Sequence, residues 1–221
     1  MIKNVIFDAD GVLLLSTQAG INSFLQAVKE SSLPVPDFQE IRLIWGRRLR
    51  ADILPTLARQ FSWPEGGEKV VLDKYLEISR NTSFPRQEGL IEMLTFLSKK
   101  YRLGIVSNRD SESLYWRLKQ QKIPTDFFVH IHAADGTSVF KPDPAVFDYF
   151  WNGPGFDPSQ TLFVGDSIEH DLRAAQAHNP PLKFVAITSG LHTMGDFVKE
   201  GIRLPYILKS VVNLPGIIST L

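Results

Sequence analysis

Cysteine is absent from all 221 residues, which excludes disulfides, a thiolate nucleophile and a cysteine-held zinc within the chain. Excess charge of either sign is missing too, since 24 Lys and Arg stand against 24 Asp and Glu. With no global basic field to hold nucleic acid, any anion binding has to be local. No apolar run approaches the ~18–20 residues of a membrane-spanning helix, so no membrane partner is expected. Two glycine signatures, GxGxxG and GxxxxGK[ST], do not occur, which disfavours a dinucleotide oxidoreductase and a P-loop nucleotide hydrolase. Met1 leads directly into Lys3-Asn4-Val5-Ile6-Phe7, and Asp8 comes too early for the apolar stretch of a secretion signal. A cytoplasmic location is the expectation.

The residues that are present describe an ordinary folded chain, 43% hydrophobic and 22% charged. Short β-branched and apolar runs at Val5-Ile6-Phe7, Leu103–Ser107, Phe127–Ile131, Leu162–Val164, Phe184–Ile187 and Tyr206–Leu208 read as buried strands. Helical patterns at Glu88–Lys99, Ser111–Gln121, Pro144–Trp151, Ser167–His178 and Gly195–Glu200 separate them. Strands alternating with helices imply a parallel sheet covered on both faces, hence an α/β class. From about Ser16 to Arg86 the alternation stops. Gln18–Glu30, Phe38–Trp45, Ala51–Gln60 and Glu68–Arg80 carry helix-spaced apolar residues with no convincing strand. The expected organisation is a core of residues 1–15 and 87–221, with an inserted helical cap of residues 16–86 acting as a lid.

Ligands in open α/β sheets bind beyond the carboxyl ends of the strands, and four such ends carry chemistry here. The first strand runs into Asp8-Ala9-Asp10-Gly11, where residues two apart project the same way and bring two carboxylates together. Two such acids repel unless a proton or cation intervenes, and Mg2+ fits because it binds through one or two carboxylates plus substrate phosphate. An aspartate beside it can attack phosphorus while the second handles the leaving oxygen's proton; Gly11 lets the chain turn away and is a candidate substrate contact. The second strand ends in Ser107-Asn108, a hydroxyl and an amide suited to phosphoryl oxygens, although the same pair is common in turns and caps. Lys141 stands in Phe140-Lys141-Pro142-Asp143-Pro144, where the prolines restrict the loop and can present one positive charge inward. In Val164-Gly165-Asp166-Ser167-Ile168-Glu169-His170-Asp171, Asp166 can ligate a metal, and Asp171 either ligates through water or orients Lys141. Each cluster alone has a plain reading as a cap or an acidic turn. Four of them in one α/β order do not.

In that order VIFDADGV, VSN, KPDP and VGDSIEHD resemble the haloacid dehalogenase superfamily, and the insertion after the first motif resembles the helical cap of its phosphoglycolate phosphatases and β-phosphoglucomutases. The resemblance implies a Rossmann-like core and a magnesium-dependent phosphatase acting on a small phosphorylated metabolite. It makes Asp8 the nucleophile, Asp10 the acid/base, Ser107 and Asn108 phosphate ligands, and Lys141 the charge-neutralising residue. It makes Asp166 a magnesium ligand beside Asp8 and the Asp10 carbonyl, with Asp171 as the last acid of the GDxxxxD variant. Family dehalogenases lack the second motif aspartate, so Asp10 favours phosphate esters. Related mutases carry a His where Gly20 stands here, which favours a phosphatase over a phosphosugar mutase. A non-catalytic phospholigand-binding protein is the alternative from another class, and the complete acid set speaks against it. Two departures are visible: Leu15 stands where many relatives have Asp, and the Ala175–Asn179 segment lacks the usual Ala-Gly helix ending, for which Asn179 could substitute as a left-handed terminator.

Within the cap, Arg47 and Arg48 of Ile44-Trp45-Gly46-Arg47-Arg48-Leu49-Arg50 are candidate contacts to an anionic substrate, against the plainer reading of a solvated basic helix end. His130 and His132 alternate on the third strand, but without a third nitrogen ligand they read as core or sheet-edge residues. His170, His178 and His192 are read with the same reserve, and Phe147, Tyr149, Phe150 and Trp151 read as helix packing. Whether the chain is a monomer or a homodimer does not follow from the residues.

Overall fold

The computed structural model describes residues 1–45, 52–134, 139–153 and 155–221. They form two compact units, one of Met1–Leu15 with Arg86–Leu221 and one of Ser16–Pro85.

The first unit is built on six strands, β1 (Asn4–Phe7), β2 (Arg102–Ser107), β3 (Phe128–Ala133), β4 (Thr161–Gly165), β5 (Lys183–Ile187) and β6 (Ile207–Leu208). They pair in the order β3-β2-β1-β4-β5-β6, every pairing parallel. All four β1 residues and all five of β4 are buried, which explains why these strands read as continuous apolar runs rather than alternating ones. On one face Ile6, Val106 and Phe163 pack with Phe147, Phe150, Ala174 and Ala175. Burying each large side chain contributes roughly 1.5–3 kcal/mol. Phe7 aligns with Ile105 on one side and Val164 on the other, so β1, β2 and β4 reach the same edge together. Because the chain runs from β1 through β2 to β3 on one side and continues with β4 on the other, that edge opens between β1 and β4, the switch point of such a sheet.

Helices α5 (Leu90–Ser98), α6 (Ser111–Gln120), α7 (Asp148–Trp151), α8 (Arg173–Ala177) and α9 (Met194–Lys199) connect the strands. The expected helix over Pro144–Trp151 begins as a 3-10 turn at Pro144–Phe147, capped by the Asp143 carboxylate accepting from the Ala145 N–H at 2.9 Å. The one expected over Ser167–His178 opens instead as a wide π-type turn at Ile168–Leu172 and becomes α-helical only at Arg173. It ends at Ala177 with His178 extended (φ −64°, ψ 146°), and Asn179 is not among the residues with positive φ. Asn179 is therefore not a left-handed terminator; the chain has already left the helix at His178.

The second unit is helical among its described residues: α1 (Thr17–Glu30), α2 (Phe38–Ile44), α3 (Leu54–Gln60) and α4 (Gly67–Asn81). Ile21, Phe24 and Val28 of α1, spaced for one helix face, pack with Ile41, Leu54, Leu57, Val71 and Tyr75. Asp37 and Glu40 form a reciprocal capping box at the start of α2. Phe24, Trp45 and Tyr75 meet edge to face, with centroids 5.9 to 6.2 Å apart. A Cβ on Gly20 would lie 2.9 Å from the Trp45 ring, so the indole occupies the space where a side chain would stand. Among the described residues no helix is long and apolar enough to cross a membrane.

Candidate active site

Beyond the carboxyl edge of the sheet, Asp8, Asp166 and Asp171 bring ligand oxygens within 4.8 Å of one another, and all three are buried. Asp8 continues straight from β1, its N–H donating to the Val164 carbonyl at 2.8 Å. Lys141 enters the cluster from the Phe140–Asp143 loop, 3% exposed, and its Nζ donates to Asp8 Oδ1 at 2.5 Å and to Asp171 Oδ1 at 2.7 Å. The other Asp171 oxygen accepts from the Asp166 and Ser167 N–H groups, both at 3.0 Å. Those bonds account for the wide turn after β4. One side chain takes up the two amides at the turn's start, and the wider winding returns its carboxylate to the lysine.

Asp166 sits in a slot without side chains on two walls. Gly11 adopts φ +81°, and a Cβ there would approach Asp166 Oδ2 to 2.2 Å; one on Gly190 would approach it to 1.6 Å. The same oxygen accepts from the Leu191 N–H at 2.9 Å. Gly11, read from the sequence as a turn and substrate contact, thus also makes room for the carboxylate.

Three buried carboxylates share one lysine, and the protonation of Asp8 and Asp166 reflects the crowding. Burial pushes the Asp8 carboxyl up to about 7; Lys141 opposes this, while Asp171 and Asp10 add to it. Asp166 is likewise raised well above the carboxylate range by burial and then by Asp171 and Asp8. For Lys141 burial alone would lower the value, but the charges of Asp171 and Asp8 outweigh it and hold the ammonium above its ordinary range. A deficit of positive charge among clustered oxygen donors is the setting a hard divalent cation fits.

Ser107 is buried at the end of β2, and its Oγ accepts from the Arg109 N–H at 3.1 Å. The Asn108 amide forms a two-bond clamp on the Lys141 main chain, Nδ2 donating to the carbonyl at 2.9 Å and Oδ1 accepting from the N–H at 2.8 Å. His170 adds a contact from Nδ1 to the same carbonyl at 3.3 Å. The Asp10 carboxylate, unlike those of Asp8, Asp166 and Asp171, faces Arg109, with Oδ2 accepting from Nε at 2.9 Å and Oδ1 from Nη2 at 2.6 Å. Arg109 and Gly190 escaped the sequence reading. Arg109 stands one residue past the Ser-Asn pair, which is a signal of position, whereas nothing near Gly190 in the sequence points to Asp166. Arg47 and Arg48 lie outside the described residues. His132 is buried against the Tyr149 ring at 4.1 Å and His130 meets Phe150 edge-on at 5.2 Å, both within aromatic packing.

A six-stranded parallel sheet with an acidic, lysine-bridged cluster at its switch point defines a hydrolase class that the family comparison makes specific. Residues 5–187 match the haloacid dehalogenase-like hydrolase family, and the chain belongs to it. The chain is 29% identical to the N-acetylmuramic acid 6-phosphate phosphatase of Pseudomonas aeruginosa, over 76% of this chain and 74% of that one. It is 26% identical to the phosphoglycolate phosphatase of Pseudomonas syringae pv. syringae, over 79% and 66%. Among solved structures, a predicted phosphoglycolate phosphatase from Haemophilus somnus 129pt superposes with a TM-score of 0.81 at 22% identity, covering 98% of both chains.

Proposed function

We propose that this hydrolase is a magnesium-dependent phosphatase that cleaves a small phosphomonoester through a phosphoryl group carried on Asp8. The observation that carries the reading is the buried bridge Asp8–Lys141–Asp171, with Asp166 in the same cluster, at the switch point of the sheet.

Asp8 attacks phosphorus with one carboxylate oxygen, forming a P–O bond as the ester P–O bond breaks, and Asp10 gives the departing oxygen a proton. A water molecule then attacks the aspartyl-phosphate, Asp10 takes the water's proton, and inorganic phosphate leaves with Asp8 restored. Lys141 holds Asp8 in place and offsets the charge gathered around it; Ser107 and the nearby amides bind phosphoryl oxygens. Asp8, Asp166, Asp171 and the Asp10 carbonyl would hold the magnesium ion, whose positive charge lets Asp8 and Asp166 remain ionised beside a phosphate. Gly20 supports hydrolysis over a mutase, because the Trp45 indole fills the place a mutase histidine would take. N-acetylmuramic acid 6-phosphate and phosphoglycolate, the compounds in the relatives' names, both join a phosphate ester to a carboxylic acid, which makes such esters the first to test.

The test is hydrolysis of p-nitrophenyl phosphate with magnesium, with EDTA, and by Asp8→Asn. Turnover is expected with magnesium only, and Asp8→Asn is expected to lose at least about a thousandfold in kcat while staying folded by circular dichroism. Activity surviving in Asp8→Asn would remove Asp8 as the nucleophile, and folded wild type without turnover on any phosphomonoester would leave the binding-protein alternative.

A further inference from the structure

The pairing of Asp10 with Arg109 is more elaborate than an ion pair at a partly exposed position requires. The two side chains are 31% and 21% exposed, a setting in which ion pairs contribute little to stability. Yet Arg109 is anchored throughout. Its N–H donates to Ser107 Oγ at 3.1 Å, its carbonyl accepts from the Ala134 N–H at 3.0 Å, and its Nη1 donates to Ser113 Oγ at 2.9 Å. Ser113 is itself fixed, its N–H donating at 2.8 Å to the Asp110 carboxylate that caps α6. An arginine whose main chain is held at the end of β2, and whose guanidinium is tied to the first turn of a helix, therefore presents two N–H groups to both oxygens of Asp10. That planar fork selects one rotamer and one carboxylate plane, which a lysine in its place would not.

We infer that Arg109 is a positioning residue: it holds the Asp10 carboxyl group in the orientation that proton transfer to the leaving oxygen requires. Proton transfer is steeply sensitive to placement, so fixing the carboxyl in advance favours it without Arg109 touching the ester; the oxygen that carries the proton in that step gives up its bond from Arg109, and the other keeps the remaining N–H of the fork. The inference rests on the phosphatase reading, and on Asp10 as its acid/base.

A series of aryl phosphates separates this role from others. Nitrophenolate departs as a stable anion and needs little help from an acid, whereas the more basic phenols of phenyl and 4-methoxyphenyl phosphate need the proton. In Arg109→Gln, kcat on phenyl phosphate is expected to fall at least about tenfold more than kcat on p-nitrophenyl phosphate, with KM changed less than about threefold. Ser113→Ala, which leaves the Asp10 pair itself intact, is expected to give the same pattern at smaller size, and Arg109→Lys to restore only part of the loss. An equal fall across the series, or a change confined to KM, would overturn the inference, pointing to a structural role or to a direct phosphate contact. If Arg109→Gln does not fold, the Ser113→Ala profile decides in the same way. Wild type inactive on every ester overturns the phosphatase reading and this inference with it; active wild type with a uniform loss in the variants overturns this inference alone.

Discussion

Lys141 is fixed along its whole length, with its ammonium between Asp8 and Asp171 and its main chain in the two-bond clamp of Asn108. The clamp changes what Asn108 is expected to do. An amide whose oxygen and nitrogen are both engaged on one peptide unit is a brace for the lysine, and a direct hold on phosphate would require giving up at least one of those bonds. Removing it takes the partner from the Lys141 N–H, at roughly 1–3 kcal/mol, and leaves the carbonyl with the long His170 contact. Asn108→Ala is accordingly expected to lower kcat about tenfold or more through a misplaced Lys141, to change KM less than about threefold, and to lower the thermal midpoint by several degrees. Steady-state kinetics on p-nitrophenyl phosphate with a melting curve checks this. A large rise in KM at constant kcat would return Asn108 to the role of phosphate ligand.

At the scale of elements, the sheet was readable because buried parallel strands spell themselves out as β-branched runs, as in Val5-Ile6-Phe7 and Leu162–Val164, each followed by the polar residues of a strand end. Asp8, Lys141, Asp166 and Asp171 follow such runs or the loops beyond them, and they lie together in one cluster. The sequence was silent wherever a contact joins distant segments. The Asn108 clamp spans 33 residues, the Arg109 fork reaches Asp10 across 99, and Gly190 backs Asp166 from the loop after β5. The wide turn at Ile168–Leu172 was hidden for a related reason, since its helical pattern gives no sign that the Asp171 carboxylate takes up amides at its own N-terminus. The loop after β5 yields a prediction of its own. A Cβ at Gly190 would lie 1.6 Å from Asp166 Oδ2, so Gly190→Ala must displace that carboxylate. Activity titrated against magnesium is expected to show half-saturation at about tenfold higher concentration or more, with the fold retained; unchanged half-saturation would mean that Asp166 is not a ligand.

Over the whole molecule the formal charge is zero, but the balance is not local: three buried carboxylates at the sheet edge share one lysine. This has a definite sign in the dependence of stability on pH. In the unfolded chain Asp8 titrates near 3.8, and in the folded, metal-free protein near 7, so between these values the folded state holds a proton that the unfolded state has released. Stability then falls as pH rises through that window, by on the order of a few kcal/mol, and Asp166, raised for the same reason, adds to the slope. The direction is opposite to that of a salt-bridged surface aspartate with a depressed value. Magnesium would compete with those protons, so its stabilising effect should be small where the acids are protonated and grow as they ionise. Melting curves in EDTA are expected to show a midpoint declining from pH 5 to pH 8, and magnesium is expected to raise the midpoint more at pH 8 than at pH 5. Asp8→Asn removes one of the acids responsible and should flatten the decline in EDTA while weakening the gain from magnesium. A wild-type midpoint in EDTA that rises over the same range, or a magnesium effect independent of pH, would show that the cluster does not bear the uncompensated charge that makes it a cation site.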